Sequence, residues 1–270
     1  MSGHAYSDIR YQVDDPVAVI TLNRPSRMNA FTALTLAEMR HALERSMADR
    51  RVVGTVITGE GNAFCVGLDA TSLAEAAEQP PDPNGIPADQ PALFSYIREL
   101  PKPVIAAVNG MCAGGGFVLA LMCDLRFAAA DAVFTTVFSK RGLIAEHATS
   151  WLLPRLVGNG RALDLLWSSR RVSGSEAVEM GLAERLAEPG QVLAMAMAYV
   201  EDLAHSTSPR SLQITKELVS AHWSASFETA AREGHRATML SLRQPDFAEG
   251  VASFLEHRAP KFERIGEVTE

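Results

Sequence analysis

Cysteine is scarce. The chain holds three, Cys65, Cys112 and Cys123, in an odd number and with no CxxC pair. That count excludes a disulfide framework and gives no zinc spacing, so the three read as free thiols of a reducing compartment, and no metal site is expected. Excess positive charge is also missing: the net charge is −7 at pH 7, and no block of basic residues appears. A nucleic-acid surface is therefore not expected, although a few local Arg and Lys residues remain free to hold an anionic ligand. No apolar run approaches the roughly 18 residues a membrane helix needs. The opening "MSGHAYSDIR" lacks the basic-then-apolar layout of a signal peptide. The expectation is a soluble, cytoplasmic protein. Three nucleotide or hydrolase signatures are absent as well. The glycines at 114 and 116 do not extend to GxGxxG, and there is neither a GK[ST] phosphate loop nor a GxSxG elbow.

What remains is ordinary globular material, 47% hydrophobic and 21% charged over 270 residues. A chain of this length can bury its core without covalent staples. "VAVITL" (17–22) is β-rich and ends at the turn signal "NRP"; "TLAEMRHALERSM" (35–47) puts Leu36, Met39, Leu43 and Met47 on one helical face. "VVGTVIT" (52–58) and "PKPVIAAVNG" (101–110) are further strands, and "LRFAAADAVFTTV" (125–137) reads as two short strands around a turn at Asp131. Residues 79–91 carry five prolines and are expected to form a loop. From about residue 190 the pattern is helical. Alternating strand and helix followed by helices predicts an α/β core over 1–195 and a helical region over 196–270. One echo stands out: "GTVITGEGNAFCVGLDATSL" and "PVIAAVNGMCAGGGFVLAL" both run strand, turn, short segment, helix. The echo is too faint to define a repeat by itself and suggests one structural unit used twice.

The strongest local signal is "AGGGF" (113–117). Three glycines at a strand-to-helix junction either pack a turn tightly on its neighbour or present bare N–H groups at a helix start to a ligand. "FCVGLD" (64–69) alone is a buried strand end. Taken with "AGGGF" and with "NRPSRMNAF" (23–31), it resembles the enoyl-CoA hydratase/isomerase family, also called the crotonase family. The resemblance runs from about Val17 to Gly181, with a weaker match ending in "HRAPKF" (257–262).

That resemblance implies a crotonase-like spiral of ββα units with a helical C-terminal region that assembles trimers, often paired into hexamers. It implies an acyl-CoA substrate, with coenzyme A part of the substrate and no further cofactor. Two backbone N–H groups, matching Leu68 and Gly115, would hold the thioester oxygen as it becomes an enolate. Preset amides suit this task because they need not reorient as charge develops. The coenzyme A contacts would match Ser26, Arg27 and Met28, with Val66, Leu68 and Asp69 beside them and Lys261 and Phe262 near the adenine. Val118, Phe138 and Trp151 would line the substrate pocket.

The chain departs from the family's hydratases at the two positions where they carry glutamates, which here are Val118 and Phe138. Neither side chain moves a proton. Adding water across a 2-enoyl thioester is served by a paired acid and base, whereas a shift of a 3-enoyl double bond needs one carboxylate that takes a proton and returns it two carbons away. The stretch "GLIAEHATSW" (142–151) supplies one, Glu146, at the spacing where isomerases of the family carry an Asp or Glu. The competing reading is an exposed helix N-terminal glutamate. His147 is expected beside it as a pocket or second-layer residue. Lys140 and Arg141 are either surface charges or partners of Glu146. Asp69 and Asp131 also read as turn residues. The expected function is an enoyl-CoA isomerase in fatty-acid or related acyl-CoA catabolism. A hydratase drawing its second proton group from His147, Glu228 or Glu233 is the first alternative, and a non-catalytic acyl-CoA-binding relative is the second.

Overall fold

The computed structural model describes residues 5–78 and 92–267. The proline-rich stretch expected to form a loop at 79–91 lies outside them. The chain opens with a strand the sequence reading had not picked out, β1 (Ile9–Asp14), which pairs antiparallel with β2 (Val17–Leu22). Helix α1 (Ala33–Ala48) follows, started by a capping box in which Thr32 and Thr35 satisfy each other's amides.

Two successive units then repeat one plan. The first is β3 (Gly54–Gly59), β4 (Ala63–Cys65) and α2 (Ala70–Glu78). The second is β5 (Val104–Val108), β6 (Met111–Ala113) and α3 (Gly115–Met122). β3 lies parallel to β5 in one sheet and β4 parallel to β6 in another, so the echo in the sequence is a real ββα repeat. Asn109, in the turn between β5 and β6, locks the two units together. Its Nδ2 donates to Gly59 O and Gly61 O at 2.9 Å each, and its Oδ1 accepts from Gly59 N at 3.1 Å.

A third pair of strands, β7 (Leu125–Ala129) and β8 (Val133–Thr135), continues the spiral. Beyond them lie α4 (Thr149–Val157), α5 (Asn159–Ser168), β9 (Val172–Ser173), α6 (Gly174–Glu179) and β10 (Arg185–Ala187). The large sheet runs β1-β2-β3-β5-β7-β10 and the small one β4-β6-β8-β9. β3 and β5 are buried along their whole length, as expected of parallel strands covered on both faces.

The boundary expected between residues 195 and 196 falls inside a helix, α7 (Val192–Ser206). Val192, Ala196 and Val200 recur four residues apart and are buried, and both Val200 methyl groups sit where a side chain at Gly54 of β3 would begin. α7 therefore packs on the core sheet. α8 (Pro209–His222), α9 (Phe227–Ser241) and α10 (Pro245–Leu255) follow. α8 is tied back by Lys216, whose Nζ donates to Asp124 Oδ2 at 2.7 Å and to the carbonyls of Ile97 and Lys102 at 3.2 Å each. α9 has no buried residue, and Phe227 and Phe254 are 84% and 77% exposed.

One buried cation has a measurable consequence. Lys102 Nζ caps the end of α1, donating to Ser46 O at 3.1 Å and Asp49 O at 2.8 Å. Burial lowers its pKa from 10.5 to about 8, against the pull of Asp49. Below pH 8 both folded and unfolded chains hold the proton. Between about 8 and 10.5 the folded chain has released it while the unfolded chain retains it, so stability gains with rising pH across that window. Urea unfolding should show the difference between wild type and Lys102→Met moving in favour of wild type from pH 8 to 10; a difference that is flat with pH refutes the assignment.

Candidate active site

The segment 23–31 is built by local chemistry. Pro25 opens a 3-10 turn, and Met28 and Asn29 take left-handed backbone, with φ of 50° and 57°. Buried Asn29 makes this affordable: its Nδ2 donates to Glu60 O at 3.0 Å and Ala63 O at 2.7 Å, and its Oδ1 accepts from Arg24 N. Arg24 then pairs with Asp69 at 3.1 Å and with Asp8 at 3.7 Å. Asp69 also accepts from Thr71 N at the start of α2. That amide bond, with the Arg24 guanidinium, holds its carboxyl below the usual range. Asp69 is thus a turn and ion-pair residue that stands at the groove described below.

The next turn aims an amide. Phe31 N donates to Gly67 O at 2.8 Å, and Asp69 N donates to Phe31 O at 3.1 Å. In such a parallel bridge the residue between, Leu68, turns its own N–H and C=O away from Phe31. Across from it, Gly115 is the first residue of α3, so its N–H has no partner within the helix. The two backbones touch. A Cβ on Gly67, whose φ is +93°, would lie 2.8 Å from Gly115 N, and one on Gly115 would lie 3.3 Å from Gly67 Cα. Only glycine fits at 67 on both counts. At the next position, a Cβ on Gly116 would meet Cys65 O at 2.1 Å, which seats α3 directly on β4.

A cavity of about 250 Å³ opens at this junction, lined by Leu68, Gly114 and Gly115 together with Glu146, His147, Arg141 and Phe138. Phe31, Leu36, Leu73, Leu93 and Leu143 make the rest of its wall largely apolar. Glu146 is half-buried in a turn ahead of α4, whose cap is Ala148, so it is not the helix-start glutamate of the competing reading. Two residues in a row behind it, His147 and Ala148, take left-handed backbone with φ of 49° and 62°. Conformations of this kind in non-glycine residues cost of order 1–3 kcal/mol and concentrate at functional sites. Among the described residues, neither Lys140 nor Arg141 pairs with Glu146; Lys140 Nζ donates to Ser169 O at 3.1 Å.

A second space, of about 540 Å³, adjoins the first and shares Val66, Leu68, Leu73 and Arg141 with it. Arg27, Lys140, Arg141 and Arg171 line it, along with Met28 and Asp69. Since Asp69 is paired with Arg24, the groove is left cationic in a chain whose overall charge is −7. It is suited to a phosphate-bearing ligand that threads one end into the apolar cavity.

Several expected site residues lie elsewhere. Val118 is fully buried in α3 and is not on the wall of this cavity, which only the first turn of that helix meets. Trp151 is turned away: its ring lies 4.8 Å from that of Trp223, with Arg155 stacked 4.0 Å above it. An indole finds more contact there than in a small pocket. Ser26 is exposed and lines neither space. Phe262 packs by Gly250 in an apolar cleft between α8 and α10, and Lys261 donates its backbone N–H to Glu249, so neither borders the cationic groove. Glu228 and Glu233 sit on α9, outside the cavity, with Glu233 3.2 Å from His222. Arg171 had carried no role in the sequence and Arg141 only that of a surface charge or a partner of Glu146; the fold brings both to the groove. All three cysteines are buried and free, and burial pushes the thiols of Cys65 and Cys123 up to about 12. Among the described residues no cluster could hold a metal ion, and no helix is long and apolar enough to cross a membrane.

A crotonase-type spiral with two facing amides defines a class of acyl-thioester protein, and comparison with known proteins agrees. The family model described as enoyl-CoA hydratase/isomerase matches residues 12–265. The chain is 33% identical over 259 residues to the 1,2-epoxyphenylacetyl-CoA isomerase of Escherichia coli, covering 93% of this chain and 96% of that protein. It is 34% identical over 272 residues to the enoyl-CoA hydratase ACTT3 of Alternaria alternata, covering 97% and 88%. The crystal structure of an enoyl-CoA hydratase from Bacillus anthracis superposes with a TM-score of 0.85 at 29% identity, covering 95% of this chain and 99% of that one. The chain belongs to the enoyl-CoA hydratase/isomerase family and has the crotonase fold.

Proposed function

We propose that this acyl-CoA enzyme is an enoyl-CoA isomerase with Glu146 as its proton carrier, serving fatty-acid or related acyl-CoA catabolism. The observation that carries the reading is the presence of Glu146 in one cavity with Leu68 and Gly115, while the positions matching the hydratase glutamates hold Val118 and Phe138. The cationic groove takes the phosphates of coenzyme A, and the acyl end enters the apolar cavity. The thioester oxygen receives the N–H groups of Leu68 and Gly115. Glu146 removes a proton from carbon 2 of a 3-enoyl thioester, the electron pair spreads onto the thioester oxygen, and the amides stabilise that negative charge. The same carboxyl returns the proton to carbon 4, leaving the double bond between carbons 2 and 3. Atoms balance with no water and no cofactor beyond the coenzyme A of the substrate.

A hydratase is the second reading, favoured by the presence of His147 in the same cavity. Its weakness is the state of the ring. Leu93 N–H donates to Nδ1 at 3.2 Å, so the neutral imidazole carries its proton on Nε2 and is not free to take one from water there. The exposed apolar face of the C-terminal helices fits assembly into homotrimers or hexamers. Parallel assays with a 3-enoyl-CoA and a 2-enoyl-CoA decide the chemistry. Double-bond migration should exceed water addition at least tenfold, and the reverse order makes the protein a hydratase.

A further inference from the structure

The acyl cavity holds more polarity than a hydrocarbon chain requires. Apart from the two backbone donors, three side chains on its wall are polar: Glu146, His147 and Arg141. Among the described residues, no hydrogen bond or ion pair engages the Glu146 carboxylate, the Arg141 guanidinium or Nε2 of His147. These groups do not pair with one another, and no other described residue pairs with them. Glu146 has its task in the reaction. Arg141 borders the cationic groove as well as the cavity, which places it at the neck between them. His147 borders only the cavity and has no role so far.

Its placement is specified from both sides. Leu93, itself a wall residue, donates its backbone N–H to Nδ1 across 54 residues of sequence. The residue after it, Phe94, is held at φ 63°, and His147 at φ 49°, so two unfavourable backbone conformations flank one contact. That bond fixes the tautomer and leaves Nε2–H as a donor. Water can satisfy this donor while the cavity is open. His147 is exposed, and an acyl chain that fills the space and covers the ring leaves this donor unpaired, unless the chain itself carries an acceptor.

Building on the acyl-CoA reading of the site, we propose that the cavity selects thioesters whose acyl chain bears a neutral oxygen acceptor beyond the reacting carbons, a hydroxyl, keto or epoxide oxygen, bound by Nε2–H of His147. Arg141 stands at the neck, where the groove it shares takes the phosphates of coenzyme A, so a carboxylate deeper in the cavity would meet the charge of Glu146, and like charges repel. A plain hydrocarbon chain would strand the donor. Sites built to hydrogen-bond a substrate oxygen reject the analogue that lacks it far more strongly than apolar pockets reject a missing methylene.

The test uses saturated thioesters, which cannot react, so it reads binding alone. Calorimetric titration of the purified protein with hexanoyl-CoA, its ω-hydroxy derivative and adipoyl-CoA should give the hydroxylated thioester the lowest Kd, at least tenfold below hexanoyl-CoA. In His147→Phe that ratio should fall to within about twofold of one. His147→Gln, which keeps an N–H at similar reach, should retain a preference, and thermal unfolding establishes that both variants are folded. Equal affinity for the plain and hydroxylated thioesters overturns the proposal. So does a preference that survives in His147→Phe, or tightest binding of adipoyl-CoA. Failure of the isomerase reading shows itself separately, as an absence of double-bond migration in 3-enoyl substrates, and leaves these binding ratios unchanged.

Discussion

In Glu146→Gln, turnover of a 3-enoyl-CoA falls by about 10²- to 10⁴-fold, while the Kd for a saturated acyl-CoA stays within about threefold of wild type. The replacement keeps the shape and volume of the side chain and removes only its capacity to accept a proton. The structure makes the experiment unusually clean. No hydrogen bond or ion pair within the described residues holds the Glu146 carboxylate, so the amide strands no partner and the melting temperature should be unchanged. A structural glutamate would behave in the opposite way, losing stability and keeping activity. Single-turnover kinetics with excess enzyme separate the chemical step from product release. If the chemical step in Glu146→Gln runs within threefold of wild type, the proton travels by another group and the isomerase mechanism fails.

The contrast with hydratase chemistry follows from the same cavity. Phe138 occupies one glutamate position and forms apolar wall, and Val118 occupies the other and is sealed inside α3. On the proposed reading, their replacement by hydrocarbon removes the second proton carrier, and a lone base is fitted to carry one proton along a chain and poorly fitted to activate and deliver a water molecule.

Much of this arrangement was legible from spacing. The strand 17–22 appears with the bounds the β-rich run gave it, and the Gly/Asn turn before each short strand revealed the repeat that brings Leu68 and Gly115 together. Such features are local: a turn residue acts within a few positions of itself, and a helix start within one turn. β1 escaped because "IRYQVD" alternates buried and exposed residues on an edge strand, with too little apolar content to stand out. The packing of α7 on the core sheet escaped for a different reason. The period of Val192, Ala196 and Val200 marks a helix with one apolar face, and nothing in that period says that the face meets Gly54, about 140 residues earlier in the chain. Trp151 and the bond from Leu93 to His147 belong to this second kind. Side-chain direction after a left-handed turn depends on what the rest of the fold has already placed nearby. The sequence pointed to Glu146 as the candidate carboxylate, and long-range packing decided which neighbours it has.

Removing the Gly115 amide should slow the reaction by about 10²- to 10³-fold, equivalent to roughly 2.7–4 kcal/mol of barrier. Proline is the natural replacement at this position. Gly115 is the first residue of α3, where a missing N–H leaves no helical hydrogen bond unmade, and the preceding Gly114, at φ 52° and ψ −122°, already avoids the α region that a following proline disfavours. The obstacle is steric: a Cβ at 115 would lie 2.5 Å from Cζ and 2.7 Å from Cε1 of Phe31. Those atoms are the far end of a side chain, and shortening it with Phe31→Leu removes both. The informative comparison is therefore Phe31→Leu/Gly115→Ala against Phe31→Leu/Gly115→Pro. Both carry the new Cβ and its close approach to Gly67, and they differ chiefly in whether residue 115 has an N–H to give. A loss confined to the proline variant, appearing in kcat more than in KM, assigns the amide to stabilising charge that exists only in the transition state. Equal rates in the two would mean that Leu68 alone, or some other donor, holds the enolate oxygen.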